Sequence, residues 1–353
     1  MFLASRKGGS AMERDKQADL LRGYACLLVV IGHVFIGVRT SGIAVPGFLE
    51  VSEKFIWSFH IDLFMFLSGY VFSLTGGAAA KGGRRAFLLG KLLSLGVPYL
   101  IFSCLYAVVN SLTPGVNNSS SVSDVLSIWY KPIAQYWFLF ALFWLFVIWA
   151  VISKPIKSNA LITALLYTFF IVCKCFKINL GFLDSSFNCV LAFGLGTCIK
   201  SLNISRLPKA VLAVTAALHI TAAVILIKFN LYTKLFFDDI LTVFGIFSSL
   251  CFISLISRLP AVSKALGFIC VYSFPLYLTH TFFTAGARII LLRLGVTNCF
   301  VHIAAGIAAG LLFPIAAAKA AELSPFLNFF FYPARAVKEI RAGKYGFNLR
   351  KKS

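Results

Sequence analysis

Acidic residues are scarce in this chain: 12 Asp and Glu stand against 33 Lys and Arg in 353 residues, and all charged residues together make up only 13%. A soluble domain of this length carries roughly twice that charge, so a water-facing globular protein is excluded. The apolar/polar alternation of a membrane β-barrel is missing as well. The nine cysteines include no Cys-x-x-Cys pair and no metal-ligand spacing, and most, such as Cys26, Cys104, Cys189 and Cys251, lie inside apolar runs. There a free thiol behaves as a small hydrophobe, and neither a disulfide framework nor a metal site is expected. The glycine-rich stretch Gly76–Gly83 lacks the preceding strand and the Lys-Ser/Thr ending of a phosphate cradle.

What fills the chain is long apolar runs. Hydrophobic residues are 59% of it and the mean hydropathy is +0.89. Runs of about 20 residues span a bilayer, and they recur at roughly 18–38, 55–74, 87–111, 135–153, 159–176, 186–200, 209–228, 238–257, 265–287 and 297–320. The expectation is an all-α, polytopic membrane protein with about ten transmembrane helices, multi-pass in a bacterial inner membrane. The net charge of +21 is not a nucleic-acid signal, because the cations sit in short loops and in the tail. With the N-terminus in the cytoplasm, 24 of the 33 Lys and Arg fall on the inside, as the positive-inside bias requires. Both termini are therefore expected to be cytoplasmic. Residues 1–17 read as an N-terminal tail that runs into a retained first helix rather than a cleaved signal. Residues 18–322 form the transmembrane domain, and 323–353 a basic cytoplasmic tail whose cations suit a solvated or lipid-touching role.

The first run carries the most informative pair. Arg22 and His33 are eleven residues apart, which in a helix is an advance of ~16.5 Å within ~20° of three full turns. They share one face, about half a bilayer apart, and ionisable groups in hydrocarbon tend to face a cavity and function there. A plainer alternative is a helix-end arginine and a histidine bonded to a neighbouring helix. On the expected topology His60, Asp62, His280 and His302 fall in the outer half with His33, while His219 sits apart in the seventh run and is structural, as His302 is expected to be. Two residues turn a helix by ~200°, so one of His60 and Asp62 faces the interior.

Five segments, in order, resemble the acyltransferase-3 family of integral membrane acyltransferases. They are Asp19-x-Leu21-Arg22-Gly23 with His33; Phe59-His60-Ile61-Asp62-Leu63-Phe64-Met65-Phe66-Leu67-Ser68-Gly69-Tyr70; Lys91 to Pro98-Tyr99; Tyr136-Trp137-Phe138-Leu139; and Ser273-Phe274-Pro275-Leu276-Tyr277-Leu278-Thr279-His280. The Phe59-His60 opening is similar to the fucose 4-O-acetylase-like branch, from which Asp62 departs. Larger members carry a hydrolase-like domain after the tenth helix, which this chain is expected to lack.

The resemblance implies transfer of an acetyl group from cytosolic acetyl-CoA, a co-substrate rather than a resident cofactor, to a hydroxyl of a cell-surface or lipid-linked sugar. An alcohol attacking a thioester needs a base and an oxyanion stabiliser. His33, with an ordinary pKa of about 6.5, is the expected base, and an acyl-histidine intermediate stays open. Arg22, a fixed forked cation, and Asp19, one turn before it, complete the expected catalytic set; a purely structural Asp19–Arg22 pair is the alternative. Arg22, Lys81, Arg84, Arg85 and Lys91 are expected to hold donor phosphates, or to anchor topology. His60, Asp62, Tyr277 and His280 are expected at the acceptor or behind the base. Trp129, Tyr130, Tyr136 and Trp137 read as an interfacial aromatic belt rather than a sugar platform. Asp238 and Asp239 suit either sugar hydroxyls or a helix start. The bilayer, acetyl-CoA and a glycan are the expected partners. A transporter or flippase for a glycan or acyl precursor is the competing class, since buried His, Asp and Arg also form proton relays.

Overall fold

The computed structural model describes residues 15–79, 82–114, 122–199, 209–231 and 236–341. Among these residues there is no strand, only helices and connections. The helices are α1 (Lys16–Thr40), α2 (Gly47–Trp57), α3 (His60–Leu74), α4 (Gly83–Lys91), α5 (Val97–Leu112), α6 (Trp137–Ile152), α7 (Asn159–Cys175) and α8 (Asp184–Asn188). They continue with α9 (Val190–Cys198), α10 (Lys209–Lys228), α11 (Phe237–Ile256), α12 (Pro260–Val271), α13 (Ser273–Arg293), α14 (Cys299–Ala321), α15 (Pro325–Phe331) and α16 (Pro333–Arg341).

Among the described residues, six helical stretches are long and apolar enough to cross a membrane: Lys16–Thr40, Gly47–Leu74, Gly83–Leu112, Ala134–Ile152, Phe237–Ile256 and Cys299–Ala321. The pair α12–α13 meets the same test together, but is bent by 82° at its break. The structure thus has a helix at every expected run, but several are not simple spans. The ninth run is divided because Pro275, without an N–H, cannot donate to the carbonyl of Val271, where α12 ends. The sixth run is also divided: α8 and α9 meet at Cys189, and Asp184 to Cys198 is about 22 Å of helix, short of the ~30 Å hydrocarbon core. In the third run, Leu92–Gly96 forms a π-helical turn just ahead of Pro98, which lacks a donor and crowds the carbonyl four residues back.

Helix α1 is the central strut, packed against α2, α3, α11, α12, α13 and α14. Its start is fixed by Asp15, whose carboxylate accepts the backbone N–H groups of Gln17 and Ala18 and the hydroxyl of Tyr70 on α3 at 2.5 Å. Its other end is tied to α2 by Arg39, which donates twice to the buried Glu53, both at 2.8 Å. Helices α3 and α9 approach through glycine: a Cβ on Gly69 would lie 2.0 Å from the Phe193 carbonyl oxygen, and one on Gly196 2.0 Å from that of Phe66. Such small-residue contacts let backbones meet where no hydrophobic drive acts between helices. After α14, the described residues of α15 and α16 stay packed on the bundle. Phe331 packs on Phe102 with ring centroids 5.6 Å apart, and Ala336 on α16 is fully buried.

Candidate active site

His33 sits in the last third of α1 with a ring centroid 4.9 Å from that of His280 on α13 and 5.3 Å from that of Trp57 at the end of α2. Trp57 in turn meets His60 edge-on at 5.1 Å. The two flanking histidines are held alike. His60 Nδ1 lies 2.7 Å from the Ile56 carbonyl oxygen, and His280 Nδ1 2.7 Å from that of Leu276. A carbonyl only accepts, so Nδ1 carries the proton in both and Nε2 presents a lone pair. Both Nε2 atoms are buried and bond no described residue, as is the Trp57 indole nitrogen. The break between α2 and α3 makes this possible, because the Ile56 carbonyl sits at the kink and takes the imidazole N–H.

His33 differs from its neighbours in being half-buried, with no hydrogen bond to any described residue. Its ring lines a cavity of about 460 Å³ shared by α1, α5 and α13, together with Trp57, Gln135, Trp137, Thr281 and Arg288. At the other end of the same face of α1, Asp19 and Arg22 line a cavity of about 580 Å³ with Lys91, Ser94, Glu322 and Arg335. A constriction of about 80 Å³ lies between, lined by Phe64, Phe138, Leu139 and Phe146. Arg22, Lys91 and Phe274 border both the larger cavity and the constriction, and Tyr277 borders both the constriction and the His33 cavity. The Tyr277 hydroxyl donates to the Gln135 carbonyl at 2.5 Å, fixing the ring at this junction. Non-helical backbone at membrane depth is tolerated where it lines a cavity, and the α12–α13 break does so: Tyr272 lines the Arg22 cavity, Ser273 the constriction.

The Arg22 guanidinium forms no hydrogen bond or ion pair with a described residue, so its donors are open to the cavity. Asp19 accepts from the Cys270 thiol at 3.6 Å. Lys91 is buried, with Nζ 3.5 Å from the centroid of the Phe146 ring. A family model for the acyltransferase domain matches residues 15–319, from the start of α1 almost to the end of α14. The chain belongs to the acyltransferase-3 family. Nodulation protein NolL of Mesorhizobium japonicum is 30% identical over 144 residues, which are 40% of this chain and 36% of that protein. The match therefore spans about a third of NolL's length. No solved structure matches.

The expected site residues separate into those brought together and those that are not. His33, His60, His280 and Tyr277 converge, as do Asp19, Arg22 and Lys91 at the other end. Arg84 instead donates from Nε to the Ala150 carbonyl at 2.9 Å, and Arg85 is exposed; neither lines the Arg22 cavity. Lys81 lies outside the described residues. Asp62 turns away from His60 and accepts the Thr242 hydroxyl of α11 at 2.9 Å, while Asp239 accepts that of Tyr167 at 2.7 Å. His219 bonds Ser248 Oγ at 2.7 Å and His302 the Val296 carbonyl at 2.8 Å, and neither lines the His33 or the Arg22 cavity. Tyr136 is no belt residue: it is fully buried and its hydroxyl donates to the Leu278 carbonyl at 2.8 Å. Trp129 and Tyr130 are exposed and meet at 4.5 Å, as an interfacial pair would. Trp57 and Arg288 line the site without having been expected there.

Proposed function

We infer that this acyltransferase moves an acetyl group from acetyl-CoA to a sugar hydroxyl, with the donor entering at Arg22 and the acceptor at His33. The observation that carries the reading is the line of two cavities and a constriction joining those two side chains along one face of α1. Donor phosphates are held at the Arg22 end by the open guanidinium, with Lys91 at the mouth of the constriction. Only a slender acyl-bearing arm passes the constriction. In the reading's topology both termini and the Arg22 cavity face the cytoplasm of a bacterial inner membrane, and the acceptor is a cell-surface or lipid-linked glycan.

At the His33 end the acceptor hydroxyl attacks the thioester carbonyl. Neutral His33 takes the hydroxyl proton as the new C–O bond forms, then passes it to the thiolate as the C–S bond breaks. The Trp57 indole N–H, unpartnered beside His33, is the candidate donor to the developing oxyanion. His280 and His60 present lone pairs, so they stack and orient rather than donate. Membranes carrying the protein should transfer acetyl from labelled acetyl-CoA to the host's glycan, and His33→Ala should remove that transfer while the protein still reaches the membrane. Retained transfer in His33→Ala would sink the mechanism. The broken α12–α13 helix is also a transporter feature; label that crosses the membrane without becoming ester-linked to sugar would favour that class instead.

A further inference from the structure

Arg288, on α13 two turns beyond His280, is a buried cation with no carboxylate paired to it among the described residues. It is 9% exposed, its Nε is enclosed without a hydrogen-bond partner, and the neighbour that acts on it electrostatically is the neutral phenol of Tyr106 rather than a carboxylate. It nevertheless lines the same cavity as His33. The guanidinium lies against α1 at Gly37, where a Cβ would come within 2.5 Å of Nη1. Gly37 is one turn from His33, so the cation stands about 6 Å further along the cavity than the imidazole. An arginine held in a low-dielectric interior without a counter-charge is costly, and such groups mark ligand sites. A side chain that merely capped the helix would reach water, as Arg39 does while also holding Glu53.

We propose that Arg288 forms an oxyanion subsite for the acceptor, so that the sugar accepted at His33 carries a phosphate or carboxylate about one sugar unit from the hydroxyl that is acylated. The planar fork binds either group through two parallel N–H donors. Asn110, Gln135 and Thr281 line the same cavity with polar groups for the sugar itself. Gln135 is already oriented, since its Nε2 donates to Thr281 Oγ1 at 2.7 Å. The proposal rests on the acyl-transfer reading for the identity of the occupant, not for the anion site itself.

The test uses the full chain in phosphatidylcholine nanodiscs, with melting temperature as the readout. The probes are a hexose 1-phosphate, a hexuronic acid and a methyl hexoside, each in gluco, galacto and manno forms. At least one anionic probe should raise the melting temperature, and the methyl hexosides should not. In Arg288→Gln the apparent affinity for that probe should fall ~10- to 150-fold, and Arg288→Lys, which keeps the charge but loses the fork, should lie between. The lysine variant also covers the case in which the glutamine variant does not fold. A phosphate-selective response identifies a sugar phosphate, and a carboxylate-selective one an acidic sugar. Equal effects of neutral and anionic probes, no effect of any anion, or stabilisation that survives Arg288→Gln would each overturn the proposal. So would Arg288-dependent stabilisation by phosphatidylglycerol nanodiscs with nothing added by the probes, which would make a lipid headgroup the anion. Acetyl transfer to the host glycan is measured in parallel: absence of transfer in the unaltered protein, with Arg288-dependent binding intact, would remove the acyl-transfer reading and leave the anion site standing.

Discussion

The imidazoles of His33 on α1 and His280 on α13 stand 4.9 Å apart, tilted at 60°, with no hydrogen bond between them. Only His280 is anchored by backbone carbonyls, those of Leu276 at 2.7 Å and Tyr277 at 3.1 Å. The one that is free faces the cavity, and the one that is fixed braces it.

That division gives different expected outcomes for the two. His33→Ala should cost acyl transfer ~10²- to 10⁴-fold, the usual contribution of a positioned base. His280→Asn should cost less, about tenfold, because it keeps a polar side chain of lower bulk beside a base that remains. Initial rates with labelled acetyl-CoA check both, and a larger loss in His280→Asn than in His33→Ala would exchange their roles.

Arg22 offers donors to the cavity opposite from His33. Arg22→Lys keeps the charge but loses the fork, and forfeiting one charge-assisted hydrogen bond costs about 1.5–3 kcal/mol, roughly 10- to 150-fold. The loss should appear in the dependence on acetyl-CoA concentration and leave the dependence on acceptor nearly unchanged. A shift confined to the acceptor would reverse the polarity assigned to α1.

Stability should track glycine spacing. Gly69→Ala places a methyl 2.0 Å from the Phe193 carbonyl oxygen, and forcing α3 and α9 apart should cost about 1–3 kcal/mol or more. Gly267→Ala meets nothing within 4 Å and should be neutral or slightly stabilising through helix propensity. Thermal melting in detergent compares the two, and equal losses would mean that the close approach of α3 and α9 is not what holds them.

Cationic residues concentrate on the side assigned to the cytoplasm, so a reporter fused after Ser353 should be active in the cytoplasm. Periplasmic activity would place the C-terminus outside and require an odd number of crossings.

Much of the site was legible in the amino-acid sequence because its signals are local. The eleven-residue interval from Arg22 to His33 needs only helix geometry, and the converging His60 and His280 stand out as ionisable groups in apolar runs. What escaped depends on breaks and on tertiary contact. Ending the ninth run at 287 left Arg288 looking like a loop cation, whereas α13 continues to Arg293 and buries it. Pro275 lies inside that run and marks the break, but the 82° bend follows from packing. Trp57 read as an ordinary apolar residue, because nothing local shows that α2 ends there and turns its indole toward His33. Tyr136 read as a belt residue because hydropathy cannot tell a ring at the interface from one whose hydroxyl finds a carbonyl inside. Arg84 and Arg85 were cations of the right sign, but the turn of α4 points them away from the cavity.

The constriction between the two cavities has an electrical meaning. Phe64, Phe138, Leu139 and Phe146 form the apolar part of the wall around a space of about 80 Å³, with Arg22 and Lys91 also on its lining. Carrying one elementary charge across a membrane involves about 2.3 kcal/mol per 100 mV, before the far larger expense of stripping its hydration. A neutral acyl arm feels neither. On the proposed reading, a donor's phosphates would stay at the Arg22 end while only its neutral acyl arm entered the constriction.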